Sequence, residues 1–385
     1  MKTIKLMIVA GEASGDGHGA ALVRALREAV RHVDFEFYGA AGEQLRAVGV
    51  EAIVEADALS IVGLPEIGRA LPMFLKAFRD LKWAAIERKP DAVILIDFPD
   101  FNLKLAKSLK KQGCKIIYYI SPQLWAWRKY RIRSIRKYVD LVLAILPFEK
   151  EWYERHGVEH VEYVGNPLAM EVRPKSSKEE FCERHDINPD HPIVSLLPGS
   201  RHKEIVRILP VMLEAATLMN ASQPDVQFVV AAASNLFQGD VQKAIGDLTN
   251  KPPKIVENET YDALNASDAA AITSGTATLE AGIIGTPMAI VYKTSALNYG
   301  LLSPLISVDH YGLINLIAGE RVAKELIQKE LNAETLSTEI FRLLEPEENA
   351  SMRKRLKKAA DKLGQGGASK RAAEAILSVA SEKSD

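Results

Sequence analysis

Asp97 and Asp100, three positions apart in Ile96-Asp97-Phe98-Pro99-Asp100-Phe101-Asn102, offer acid–base chemistry. They follow an apolar run, residues 92–96, that reads as a buried strand, and open α/β sheets place ligands at such strand ends. Pro99 stiffens the turn and would fix Asp100. A carboxylate here can take a proton from an attacking hydroxyl. It can equally cap the following helix, so that one of the pair caps and the other works. As metal ligands the two would need a nearby histidine or further acid; the sequence brings none close, and no metal is expected.

Three further turns follow apolar runs in the same way. Gly11-Glu12-Ala13-Ser14-Gly15-Asp16-Gly17-His18-Gly19 does not match a dinucleotide GxGxxG cleanly. Glu12 and Asp16 would repel a pyrophosphate, so the loop suits sugar hydroxyls, with Glu12, Ser14 and Asp16 as candidate contacts. A plain structural turn with an acidic helix start is the alternative. In Leu196-Leu197-Pro198-Gly199-Ser200-Arg201 a strand enters a Pro-Gly turn before a helix. Free N–H groups around Gly199 and Ser200, with the planar fork of Arg201, suit a diphosphate; a surface arginine after a turn is the alternative. Ser274-Gly275-Thr276-Ala277-Thr278-Leu279-Glu280 repeats the logic. Glu280 can accept both hydroxyls of a ribose, or simply complement a helix N-terminus.

Ser121-Pro122-Gln123-Leu124-Trp125-Ala126-Trp127-Arg128 begins at another strand end. Its tryptophans suit a sugar or lipid platform, or an interface core. Arg128, Lys129, Arg131, Arg133, Arg136 and Lys137 follow, a solvated helix face or a site for an anionic membrane or a phosphorylated acceptor. Residues 64–81 mix apolar residues with Arg69, Lys76 and Arg79 and would suit an interfacial helix or a surface helix packed on the core, interrupted by Pro65 and Pro72.

Positioning these groups falls to short apolar runs alternating with helical patterns, which predicts an α/β fold: two Rossmann-like, doubly wound domains facing a cleft. The expected division is 1–168, 169–345 and a helical segment, 346–385, that packs back on the first domain or on a partner subunit. The chain has 385 residues, 47% hydrophobic and 26% charged, a globular balance too long for one core. A net charge of -1 argues against nucleic acid as partner. Cys114 and Cys182 are isolated, so neither a disulfide framework nor a zinc site is indicated, and a reducing cytoplasm is the simple reading. The longest uncharged run, residues 294–308, is too short and too broken to span a bilayer, so any membrane contact is expected to be peripheral.

Taken in order, the segments 9–16, 96–102, 121–128, 146–150, 196–201 and 274–280 resemble the lipid-A-disaccharide synthase family along nearly the whole chain. The resemblance implies a glycosyltransferase of the GT-B type, with the acceptor on the N-terminal half and a UDP-sugar on the C-terminal half. The implied reaction joins UDP-2,3-diacylglucosamine to 2,3-diacylglucosamine 1-phosphate and gives a β-1,6 disaccharide and UDP, without a cofactor. It also implies a peripheral enzyme on the cytoplasmic face of a Gram-negative inner membrane, and a homodimer. By position, Asp100 becomes the general base, Arg201 the diphosphate contact and Glu280 the ribose contact. Glu12 and Asp97 fall on the acceptor side, Asn315 on the donor side. The chain has Leu313-Ile314-Asn315 where the family shows Leu-Pro-Asn, and Gly17-His18 where the family has aliphatic residues. The expected mechanism is one inverting displacement with Arg201 and helix starts, rather than a metal, taking the charge of the leaving UDP. A UDP-N-acetylglucosamine 2-epimerase-like isomerase shares this architecture and is the alternative.

Overall fold

A computed structural model describes residues 3–30, 32–56, 67–232, 238–246, 252–295, 299–300, 308–364 and 366–381. Most of the uncharged run 294–308 and the start of the 64–81 stretch lie outside these residues. The chain divides into two units: residues 1–167 with 365–385, and residues 168–364.

The first unit is built on a parallel seven-stranded sheet. Its strands are β1 (Thr3–Ala10), β2 (Asp34–Ala41), β3 (Glu51–Glu55), β4 (Ala92–Ile96), β5 (Ile116–Tyr119), β6 (Leu141–Ala144) and β7 (Val161–Tyr163), in the order β3-β2-β1-β4-β5-β6-β7. Every residue of β4 is buried, as a strand covered on both faces requires. Alternate residues feed opposite cores. Met7, Val9, Val93 and Leu95 join a cluster with Leu81 and Leu105, whereas Leu6, Ile8, Ile94 and Ile96 join one with Leu22, Leu26 and Ile376.

The second unit repeats the plan with β8 (Ile193–Leu197), β9 (Gln227–Ala232), β10 (Lys254–Glu257), β11 (Ala269–Thr273), β12 (Met288–Tyr292) and β13 (Glu325–Ile327), all parallel, in the order β10-β9-β8-β11-β12-β13. Each sheet therefore reverses its winding once, between β1 and β4 and between β8 and β11. At such a reversal the loops leaving neighbouring strands run to opposite faces, and folds of this kind bind ligands there. One described helix, His202–Ser222, has the length and mean hydropathy to cross a membrane. Ile205, Ile208, Leu209, Met212 and Leu213 along it are buried within the unit, which explains its apolar character.

The stretch read as one terminal segment, 346–385, is shared between the units. Helix Pro346–Ala360 stays with the second: Met352 and Leu356 are buried, and Arg353 donates to the Gly285 carbonyl at 2.9 Å. Helix Ala368–Ser381 belongs to the first. Ala372, Ala373 and Ile376 enter its core, Arg371 donates to the Val164 carbonyl at 2.8 Å, and Lys115 donates to the Val379 carbonyl at 2.9 Å.

Candidate active site

The first winding reversal brings together the loops after β1 and β4. Gly11 is required there, because a Cβ would stand 2.3 Å from the Phe98 ring. The helix after β1 spans Ala13–Ala29, so Glu12 is its N-cap residue and Ser14 lies exposed in its first turn. Gly19 lets the helix approach the sheet, because a Cβ there would stand 3.0 Å from Leu45 and 3.1 Å from Ile96, at the end of β4. Glu12 makes no side-chain cap.

Asp97 and Phe98 follow Ile96 with φ of 44° and 49°, a left-handed pair that non-glycine residues adopt only under constraint. Three hydrogen bonds supply it. The Asn102 amide donates to the carbonyls of Asp97 (2.8 Å) and Ile96 (3.2 Å), and the Tyr118 hydroxyl donates to the Asp97 carbonyl at 2.7 Å. Burial, with the negative charge of Glu12 adding to it, pushes the Asp97 carboxyl up to about 6; a hydrogen bond from Phe98 and the proximity of His18 pull the other way. A carboxylate poised there suits general-base work near neutral pH.

Neither carboxylate caps the helix Pro99–Lys110, whose N-cap residue is Phe98 without a side-chain bond. Asp100 turns instead to two arginines. Arg128 Nη1 lies 3.0 and 3.2 Å from its two oxygens, and Arg131 Nη2 bonds to Oδ1. Asp100, expected as the general base, thus stands exposed against two guanidinium groups, whereas Asp97 is the partly buried carboxylate of the pair. Asp16 is corrected as a sugar contact. It is buried, and its carboxylate accepts from the backbone N–H groups of Gly42 (2.6 Å), Gln44 (2.8 Å) and Leu45 (3.4 Å), anchoring the next βα turn rather than facing a sugar.

The two tryptophans part company. Trp125 is buried edge-on against Phe148, and its indole donates to Glu149 at 3.0 Å. Trp127 is exposed and carries the Arg128 guanidinium 4.2 Å from its ring centroid. Glu149, which the sequence reading passed over, is buried. It also accepts from the N–H groups of Ile145 (3.1 Å) and Leu146 (2.9 Å) and from the Ser121 hydroxyl at 3.4 Å. These bonds favour the anion, yet burial outweighs them and pushes the carboxyl up to about 7. A raised acid pKa contributes stability fully below about 4.5, the ordinary value, and loses it as pH rises through about 7. Denaturant titration is expected to show wild type losing up to about 3 kcal/mol between pH 4.5 and 8 relative to Glu149→Gln, which has no carboxyl there to titrate; parallel profiles would refute it.

The second winding reversal joins the loops after β8 and β11. Gly199 has φ of 110°, and a Cβ there would fall 2.5 Å from a Glu204 oxygen. Glu204 takes the Ser200 N–H at 3.2 Å and pairs with Arg201 at 2.8 Å, so the helix start expected to receive a diphosphate holds a carboxylate of the chain itself. Arg201 is exposed and is the N-cap residue of His202–Ser222. At the other loop the Ser274 hydroxyl donates to the Tyr311 carbonyl at 2.7 Å and Thr278 to the Gly275 carbonyl at 2.8 Å, while Gly275 and Thr276 are exposed. Glu280 is half-buried; burial raises its carboxyl, against a hydrogen bond from Thr276. Burial, with Glu280 and Glu171 adding, pushes the Tyr261 phenol up to about 12.

Asn315 is corrected as a ligand contact. It is fully buried, and its amide is saturated: it donates to the Ala323 carbonyl (2.8 Å) and Glu325 (2.9 Å), and accepts from Val322 and Ala323 N–H at 2.9 Å each. Glu325 in turn accepts from Tyr311 and Gly312 N–H, fixing the loop that meets Ser274.

A sequence model described as "Lipid-A-disaccharide synthetase" matches residues 6–379. The lipid-A-disaccharide synthase of Syntrophus aciditrophicus (strain SB) is 44% identical over 386 residues, 100% of both chains, and that of Geobacter sulfurreducens 41% over 377 residues, 97% of each. Among solved structures, a putative UDP-N-acetylglucosamine 2-epimerase from Listeria monocytogenes superposes with a TM-score of 0.66 at 17% identity, covering 98% and 96% of the two chains. The calicheamicin glycosyltransferase CalG4 does so at 0.59 and 15%, covering 100% of each. At such identities these structures show the fold alone, two Rossmann-like domains common to glycosyltransferases and epimerases. The full-length match at 44% identity decides the family: this chain belongs to the lipid-A-disaccharide synthases, which are glycosyltransferases.

Proposed function

We propose that the protein transfers 2,3-diacylglucosamine from UDP to the 6-hydroxyl of 2,3-diacylglucosamine 1-phosphate, with inversion at the anomeric carbon, giving the β-1,6 disaccharide 1-phosphate and UDP. Asp97 carries this reading. Its carboxyl is poised at about 6, and its backbone is held in a left-handed turn at the winding reversal of the first sheet. In the proposed step the acceptor hydroxyl loses its proton to Asp97 as its oxygen bonds to the donor's anomeric carbon. The bond from that carbon to the UDP oxygen breaks, and the electron pair leaves with the diphosphate. Arg201, released from Glu204, and the N–H groups around Ser200 take up that charge; Glu280 accepts from the ribose hydroxyls. Glu12 keeps Asp97 from ionising too readily and orients the acceptor. The test is mass spectrometry of the products from the two diacylated substrates. Formation of a UDP-sugar epimer from the donor alone, with no disaccharide, would overturn it.

The acceptor and donor are lipids, and peripheral membrane binding at the cytoplasmic face is part of the proposal. Leu71, Leu75, Trp83 and Ile86 are exposed along one stripe of helix Ile67–Arg88, with Arg79 among them, and the single helix continues through Pro72. Vesicles of phosphatidylglycerol are expected to sediment wild type at low salt. Leu71→Glu with Leu75→Glu should lower the bound fraction at least about tenfold, since each change removes buried apolar area and adds a repelled charge; equal sedimentation would reject the stripe.

A further inference from the structure

Arg128 and Arg131 share one carboxylate. Arg128 reaches both oxygens of Asp100, and Arg131 bonds to Oδ1. Two guanidinium groups against one carboxylate leave an excess positive charge. The exposures run opposite to those of an ordinary surface pair: the Arg131 side chain is 12% exposed and Arg128 35%, but Asp100 67%. The cations are the seated partners, and the anion lies over them from the solvent side.

Both arginines are held before any ligand arrives. Arg128 has a left-handed backbone, φ 55°, and its guanidinium rests on the Trp127 ring. Its carbonyl accepts the Arg131 N–H at 3.0 Å, closing the turn Lys129–Arg131. Buried Glu149 fixes the residues that lead into this turn, by accepting from Ser121 and Trp125. From residue 128 to 137 the chain carries no acid, so within that segment nothing competes for these cations. Arg131 also lies near enough to Tyr118 to act on its phenol, and Tyr118 donates to the Asp97 carbonyl. The arginine pair and the proposed base therefore occupy one loop cluster, three residues apart through Asp97 and Asp100.

We propose that Arg128 and Arg131 form the seat for a phosphomonoester, the 1-phosphate of the acceptor, and that Asp100 is its built-in counter-ion, displaced when the phosphate binds. A phosphomonoester brings close to two negative charges and three oxygens, and it outcompetes a single carboxylate for two planar donor forks. Until a phosphate takes its place, Asp100 keeps the guanidinium groups converged at little cost, because it is itself mostly in water. The assignment rests on the reaction proposed above and specifies what selects its acceptor.

The test compares the acceptor with its phosphate-free counterpart. Wild type is expected to prefer the phosphorylated acceptor at least about 100-fold in kcat/KM, as two charge-assisted bonds predict. In Arg128→Gln and Arg131→Gln that preference should fall about 10-fold each, through KM, and in the double variant to within about threefold. Arg131→Lys should recover part of it. A preference unchanged in the double variant overturns the seat, as does an equal loss on both acceptors, the signature of a purely structural role. The same proteins are titrated calorimetrically with glucosamine 1-phosphate and with glucosamine. Tighter binding of the phosphorylated sugar by wild type alone supports the seat even if the protein turns over neither lipid, which separates its failure from failure of the proposed reaction. Bound fractions on phosphatidylglycerol vesicles form the last arm. Loss of vesicle binding with acceptor preference intact would assign the arginines to a lipid headgroup and reject the proposal.

Discussion

Asp97→Asn is expected to abolish measurable turnover, lowering kcat by about 10²–10⁴-fold, while calorimetry shows UDP bound as in wild type. Asparagine is close in shape, so the left-handed turn survives: its supports are the bonds of Asn102 and Tyr118 to the main chain, not to the Asp97 side chain. What is lost is the proton acceptor. The same assignment fixes the pH dependence. A base works only when ionised, so kcat/KM should fall as pH drops through about 6, where burial and Glu12 place this carboxyl. Replacing Glu12 by Gln removes a negative neighbour and should move that acidic limb to lower pH. Asp100→Asn serves as the contrast, with its effect on acceptor KM rather than on kcat. Wild-type kcat in Asp97→Asn, together with a dead Asp100→Asn, would restore Asp100 to the role of base.

The architecture was legible from the sequence because its causes are local. A strand buried on both faces must read as a short apolar run, and residues 92–96, 193–197 and 269–272 do so. The turns after those runs were found for the same reason. Partnerships across the chain were not legible. Asp16 is taken up by residues 26 to 29 positions away, Asp100 by Arg128 and Arg131, and Asn315 by a loop that doubles back from residue 322. No periodicity records such pairings. A polar residue beside a glycine-rich turn looks the same whether its oxygens face a substrate or the backbone of the next loop. Glu149 was hidden differently. It sits in an unremarkable charged triplet, Glu149-Lys150-Glu151, and only the fold reveals that one of the three is buried. A signal was present in Ser121-Pro122-Gln123-Leu124-Trp125: a buried tryptophan needs an acceptor for its indole N–H.

Arg201→Ala is expected to cost about 10²–10³-fold in kcat, because charge grows on the diphosphate as the glycosidic bond breaks and an arginine placed there counts most in the transition state. The structure adds a second, opposite expectation. Arg201 is tethered to Glu204, which also occupies the Ser200 N–H, so UDP must displace a carboxylate to reach both. Glu204→Gln keeps an oxygen for the Ser200 N–H but removes the charge that competes for Arg201. UDP should then bind several-fold tighter than to wild type, whereas Arg201→Ala binds it more weakly. Release of the product UDP should slow in Glu204→Gln, so that kcat falls even as affinity rises. The two variants thus move UDP affinity in opposite directions from neighbouring positions on one turn. If both weaken UDP alike, Glu204 braces the Pro198-Gly199-Ser200 turn instead of competing for its ligand. If neither changes UDP affinity, the diphosphate does not bind at the start of this helix.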